Sequence, residues 1–286
     1  SARVPASART ATAIRATDVS FTYPGGRRLG AVLEHVSLTV APGEFVALIG
    51  ANGTGKSTLL RLLAGLLEPD TGAIEIEGRP LRGPDAQIGL VFQEPRLLPW
   101  RSTLDNVAFP LELAGWSRDR REARAGELLS LVGLRGVDDA RPHQLSGGMR
   151  QRAAIARALA LQPAVLLLDE PFSALDALTR ERFDVSLQAI WRQTGTTIVL
   201  VTHSIGEAVF LADRVLVMAG LPGTIAAEVP VAETRPRRTD VLDATPQAGT
   251  DPRQGTAAAA VTIRAVLAAD AERDAESELI QPGTRR

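Results

Sequence analysis

The stretch GANGTGKST, residues 50–58, decides how the rest of the chain is read. It contains Lys56, the only lysine in a chain with 32 Lys and Arg residues. A guanidinium is a wide planar fork and an ammonium a compact charge on a flexible stem, so a tight backbone loop has room for the second only. Gly50, Gly53 and Gly55 supply such a loop, because residues without Cβ take positive φ and let the backbone approach a ligand closely. The spacing G-x-x-x-x-G-K-S reads as a phosphate cradle, with Lys56 reaching the β- and γ-phosphates of a nucleotide and Ser57 offering its hydroxyl to Mg2+. The plainer alternative is a glycine-rich turn with a stray lysine. The flanks decide between the two. FVALIG (45–50) is an apolar run of strand length, and STLLRLLAGLL (57–67) repeats leucine at helical spacing. The glycines therefore join a buried strand to a helix whose N-terminal dipole favours an anion.

Working outward, 286 residues of which 45% are apolar and 23% charged make a globular chain with material for one large or two modest cores. No apolar run approaches the ~20 residues of a bilayer span. The formal net charge of −1 lacks the basic field of a nucleic-acid binder, so no nucleic-acid partner is expected. The absence of cysteine excludes a disulfide framework, a thiolate metal site and a thiol nucleophile.

The organisation follows from pattern changes. Residues 1–13 are Arg- and Ala-rich without an apolar h-region and read as a disordered leader. IRATDVSFTY (14–23) and VSLTV (36–40) alternate as half-buried strands do, and AIEIEG (73–78) and IGLVFQ (88–93) are strand-like. From 94 to 160 the chain reads as a helical subdomain, with three helical stretches, inserted in an α/β core formed by 14–93 and 161–232. Strands resume with AVLLLDE, TTIVLVTH, RVLVMAG and TIAAEVPV, and LDALTRERFDVSLQAIWRQTG supplies a crossover helix, so a parallel arrangement is expected. Residues 233–286 lose apolar periodicity and read as mostly disordered, with a weak alanine-rich helix allowed over 257–280. On that reading the tail is dispensable for nucleotide hydrolysis.

Further chemistry clusters at strand ends. VLLLDE ends an apolar strand on Asp169 and Glu170, and in a parallel sheet ligands gather at strand C-termini. One carboxylate can hold Mg2+ and the other polarise an attacking water. His203 ends TTIVLVTH on the same edge and is read as a γ-phosphate contact, ahead of a capping box in SIGE (204–207). LSGGMRQR (145–152) is a second helix N-terminus suited to an anion.

Taken in order and spacing, GANGTGKST, Gln93, LSGGMRQR, LLLDEP, SALD (173–176) and His203 resemble the nucleotide-binding subunit of ABC transporters over roughly residues 14–232. The resemblance implies an α/β P-loop NTPase (RecA-like) core with a mixed or parallel sheet and an inserted α-helical subdomain. It implies ATP held by Gly50, Asn52, Gly53, Gly55, Lys56, Ser57 and Thr58, with Tyr23, the only tyrosine, stacked on adenine. Mg2+ would be held by Ser57, Gln93 and Asp169; Glu170 would be the general base, Gln93 would contact the attacking water, and His203 would bind γ-phosphate. A head-to-tail homodimer is implied, in which Ser146, Gly147 and Gly148 close over the partner's nucleotide and Asp176 links the two sites. Met149 and Ser204 depart from the commonest family pattern, which has glutamine and aspartate at these places. VFQEPRLLPWRSTLDNVAFPLELAG (91–115) is similar to the ATPases of nitrate, sulfonate and taurine importers. That likeness implies ATP hydrolysis driving uptake through separate membrane-spanning permease subunits, with a solute-binding protein as indirect partner, at the cytoplasmic face of the membrane. An exporter ATPase and a soluble non-transport ABC ATPase are the alternatives. The proline-bounded loop around Glu94, Leu97, Leu98 and Trp100 is expected to receive a helix from the permease.

Overall fold

The structure is a computed structural model that describes residues 12–25, 30–173, 175–232, 237 and 255–280. The leader up to residue 11, Ala174 of the SALD motif, and most of 233–254 lie outside the described residues.

The alternating N-terminal segments form β1 (Ile14–Phe21) and β2 (Leu33–Val40), paired antiparallel. The apolar run before the phosphate loop is β3 (Phe45–Gly50), and the loop leads into α1 (Lys56–Leu63). β4 (Thr71–Ile76) and β5 (Arg79–Pro80) return to the first pair, giving an antiparallel sheet of order β2-β1-β4-β5. β6 (Ile88–Val91) then precedes three helices, α2 (Thr103–Leu113), α3 (Arg118–Leu131) and α4 (Gly147–Ala158). β7 (Val165–Asp169), α5 (Ala177–Thr194), β8 (Thr197–Val201), α6 (Ile205–Leu211), β9 (Arg214–Ala219) and β10 (Thr224–Pro230) complete a second sheet of order β10-β9-β3-β8-β7-β6. Within it β9, β3, β8, β7 and β6 run parallel and β10 is an antiparallel edge.

Strand alternation explains the layers, because successive side chains point to opposite faces. Phe45, Ala47 and Ile49 join an apolar cluster with α2 to α6, whereas Val46 and Leu48 join α1 and the antiparallel sheet. β7 and β8 divide in the same way, so β3, β7 and β8 are buried on both faces and read as continuous apolar runs. The two-sheet arrangement refines the expectation of one α/β sheet: the N-terminal segments alternate because only one of their faces is covered.

The alanine-rich helix allowed over 257–280 is present and starts two residues earlier. A 26-residue helix, α7 (Gly255–Ile280), packs on α6, β9 and β10. Its apolar stripe is thin, but Ala259, Ala260 and Ile263 are fully buried in the large cluster. Alanine lets the helix backbone approach closely, so a stripe too narrow to announce itself in the sequence still closes the contact.

Candidate functional site

Because β3, β8, β7 and β6 are parallel, their carboxyl ends share one edge. The loop after Gly50, Asp169 with Glu170, His203 just beyond β8 and Gln93 just beyond β6 therefore converge from separate parts of the sequence. Gly55 starts α1 at φ +86°, and a Cβ there would lie 2.6 Å from Leu33 Cδ2. A Cβ at Gly50 would lie 2.5 Å from the Met218 carbonyl oxygen. The cradle is thus closed to side chains at both points. Lys56 is 5% exposed and its Nζ donates to the carbonyl oxygens of Gly50 at 2.9 Å and Ala51 at 2.8 Å. Burial lowers its pKa, opposed by the nearby carboxylates of Glu170 and Asp169.

Ser57 Oγ donates to Asp169 Oδ1 at 2.9 Å. Burial raises the Asp169 pKa and this hydrogen bond works against it. Two hard oxygens brought together at the phosphate loop, one of them a carboxylate's, form a donor set that fits Mg2+. Glu170 has φ +43°, a left-handed conformation uncommon for a residue with a side chain. Its N–H bonds to Val201 O at 3.0 Å, and its carbonyl accepts from Ser173 Oγ at 3.1 Å. His203 Nδ1 stands 3.6 Å from Glu170 Oε2. Gln93 Nε2 donates to Ser173 Oγ at 3.1 Å, so the glutamine reaches the Glu170 backbone through one hydroxyl.

Tyr23 packs edge-on against Phe21, and its hydroxyl lies 3.2 Å from Thr58 Oγ1 and accepts from Arg61 Nη1 at 3.3 Å. Asn52 and Gly53 are exposed in the loop. Ser146 caps α4 by accepting from the Met149 N–H, Asp176 caps α5 by accepting from the Thr179 N–H, and a Cβ at Gly148 would lie 3.1 Å from Thr179 Cγ2. The signature residues Ser146, Gly147 and Gly148 therefore form a second group beside the α5 N-terminus. The Asp176 carboxyl is held below its ordinary range by the hydrogen bonds from Thr179.

The capping box expected at 204–207 is only half formed. Ser204 Oγ accepts from the Glu207 N–H, but the Glu207 carboxylate accepts from Thr202 Oγ1, and that oxygen takes the Ser204 N–H. The threonine next to His203 thus replaces the reciprocal bond. Thr202, Ser173 and Arg61 are polar partners that sequence spacing did not single out. All three lie inside quoted stretches, Ser173 in SALD, Thr202 in TTIVLVTH and Arg61 in STLLRLLAGLL, where they read only as part of the local pattern. In the 94–100 loop Leu97 packs on the core and Leu98 is half-buried, whereas Trp100 is 69% exposed.

The ABC transporter family profile matches residues 33–173. The chain is 51% identical over 207 residues to the taurine import ATP-binding protein TauB of Pseudomonas fluorescens strain Pf-5, covering 72% of this chain and 78% of that protein. It is 49% identical over 216 residues to the TauB of Sinorhizobium fredii strain NGR234, covering 74% and 81%. Among solved structures it is similar to the dimeric post-hydrolysis state of the ATP-binding cassette MJ0796 bound to ADP and Pi, with TM-score 0.69 and 33% identity over 77% of this chain and 100% of that one. It is also similar to cbiO1 from Clostridium perfringens, part of the transporter complex cbiONQ, with TM-score 0.69 and 29% identity over 76% and 88%.

Proposed function

We propose that this chain, which belongs to the ABC transporter family of ATP-binding proteins, is the ATP-hydrolysing subunit of an importer in the taurine and sulfonate group. The observation that carries this reading is the shared edge at which the Lys56 loop, the Ser57–Asp169 pair and the Glu170–His203 pair meet.

ATP is the substrate. The loop from Gly50 to Thr58 turns its backbone N–H groups to the phosphates, Lys56 exchanges its two carbonyl partners for phosphate oxygens, and Tyr23 takes the adenine. Mg2+, held by Ser57, Asp169 and Gln93, neutralises phosphate charge when bound. Glu170 accepts the proton of the attacking water at its carboxylate while His203 bonds the γ-phosphate. Ser146, Gly147 and Gly148 of a second copy close the site from the other side, so turnover needs a head-to-tail homodimer; a dimeric form of MJ0796 is among the solved likenesses.

The partners are membrane-spanning permease subunits, with a solute-binding protein delivering the solute to them. Among the described residues no helix is long and apolar enough to cross a membrane, and the protein acts at the cytoplasmic face by docking. Exposed Trp100, seven residues after Gln93, is the apolar anchor offered to a permease helix.

The single lysine gives a direct test. An amine-reactive reagent should modify Lys56 as the only ε-amine, and ATP should protect it; equal labelling with and without ATP would remove the nucleotide from this loop. Release of phosphate from ATP by the same preparation then tests hydrolysis.

A further inference from the structure

Among the described residues beyond 232 none is assigned to the site, yet one of them is a buried cation. Arg237 is 5% exposed. Its Nη1 donates to the carbonyl oxygens of Val209 at 2.9 Å, Phe210 at 3.1 Å and Ala212 at 2.6 Å, and its Nη2 to that of Val231 at 3.2 Å. The first three belong to the C-terminal end of α6, where the last carbonyls of any helix lack partners within it. A guanidinium there satisfies them, and its charge complements the negative end of the helix dipole.

α6 has seven residues, too few to hold its own shape in water, so its geometry depends on what grips its ends. The N-terminal grip is the Thr202–Ser204–Glu207 network, whose first two residues flank His203 in the chain. The C-terminal grip is Arg237. Along the flank, Ala259, Ala260 and Ile263 of α7 share an apolar cluster with Val209, Phe210 and Leu211. Asp270 of α7 accepts from the Gly220 N–H at 3.0 Å and pins the helix to the turn after β9.

We propose that Arg237, supported by α7, is a positioning residue for ATP hydrolysis: by capping α6 it holds His203 beside Glu170. The proposal rests on the roles given above to His203 and Glu170, and it reverses the expectation that the tail is dispensable. Loss of the cap lets α6 fray from its C-terminus, and the His203 side chain loses its fixed approach to the reacting phosphate. The nucleotide's own cradle is carried by β3 and α1, so affinity is the quantity that should change least.

The test compares the full chain with R237A and R237K in ATP turnover, ATP affinity, thermal unfolding and amide hydrogen exchange. kcat should rank wild type above R237K above R237A, with R237A lower by about tenfold, the cost expected of a small misplacement of a reacting group. ATP affinity should stay within about twofold, and exchange should accelerate over 203–211 while the stretch 45–63 remains protected. A folded R237A with wild-type kcat overturns the proposal. So does a variant in which kcat, affinity and exchange throughout the chain deteriorate together, since that marks a general loss of structure. If R237A does not fold, R237K decides alone: an intermediate kcat at unchanged affinity supports the proposal and a wild-type kcat overturns it. A wild-type chain without turnover, or H203A with full turnover, would overturn the functional reading, and the proposal with it, through His203. The exchange rate over 203–211 in R237A would still report the cap in that case.

Discussion

Among the described residues Asp169 and Asp184 are both buried carboxylates, and their surroundings are built differently. At the sheet edge Asp169 is 8% exposed, accepts a hydrogen bond from Ser57 and lies within electrostatic reach of Lys56. Between α5 and α6, Asp184 is 1% exposed, and neither of its oxygens has a hydrogen-bond partner among the described residues. Arg180 and Gln188, one helical turn to either side of it on α5, do not pair with it; Arg180 Nη2 donates to Leu175 O, and its Nε stands 3.5 Å from Glu207. Burial, with Glu207 nearby, pushes the Asp184 carboxyl up to about 8. The first carboxylate is desolvated where a cation and phosphates can meet it. The second is desolvated against helices without a hydrogen bond, the Arg180 charge offsets this only in part, and a proton relieves it. Burial of an acid is therefore no sign of function by itself; what faces the acid decides.

The same chemical change made in both places should have opposite results. Glu170→Gln keeps the shape beside His203 but cannot accept a proton, so hydrolysis should fall by roughly 10^2 to 10^4-fold, the usual worth of a general base. ATP binding should persist and hold the homodimer closed, which chromatography with ATP and Mg2+ reads. Brisk turnover would move the base elsewhere and break the contrast.

The cradle itself offers the next test. Lys56 Nζ lies within 2.9 Å of two backbone oxygens in a loop closed to side chains at Gly50 and Gly55. Lys56→Arg keeps the charge and changes its shape, so nucleotide affinity should drop by on the order of tenfold or more, as calorimetric titration measures. Near-normal affinity would mean that charge alone suffices and that the geometry of this edge matters less than argued.

Asp184→Asn should act on stability instead. The folded pKa of about 8 stands above the unfolded value of roughly 3.9, so the wild type loses stability as pH rises between the two and the loss is complete above the upper one. The amide removes this dependence. Denaturant unfolding should show a gain on the order of a few kcal/mol at about pH 8 that nearly vanishes by about pH 4, with turnover per folded molecule unchanged. A loss of stability at high pH would show that the ionised carboxylate is sheltered after all.

The sequence made one of these places visible and hid the other, for physical reasons. The phosphate loop, Asp169, Glu170 and His203 stand at the ends of apolar runs, so strand pattern alone puts them on one edge. Asp184 reads in FDVSLQ as an ordinary helical polar residue, because its burial is created by α6, more than twenty positions away. Arg237 sits in RPRR, whose composition argues for disorder, and its bonds reach back 25 to 28 residues to α6. Tyr23 meets Thr58 and Arg61 across a comparable gap. The capping box at 204–207 shows a subtler limit: Ser204 kept its role, but Thr202 took the carboxylate that local spacing assigned to the return bond.

An exposed pair supplies the smallest effect and fixes the lower end of the scale. His35 Nδ1 and Asp18 Oδ1 are 2.7 Å apart on the β1–β2 surface, with side chains 71% and 62% exposed. Both residues have positive φ, next to a break in the strand register. The hydrogen bond from His35 to Asp18, followed by the carboxylate's charge, raises the His35 pKa. A raised histidine pKa stabilises the fold below the unfolded value of roughly 6.5, and this contribution is lost as pH rises through the folded value. Water and salt screen a pair this open, so Asp18→Asn should lower the melting temperature only slightly at about pH 6 and not at all near about pH 9. If the loss persisted at high pH, the pair's charge would not be its source. The positive-φ turn at Asp18, where the backbone N–H of Asp18 bonds Ser37 Oγ at 2.9 Å, would then be the element that needs the carboxylate.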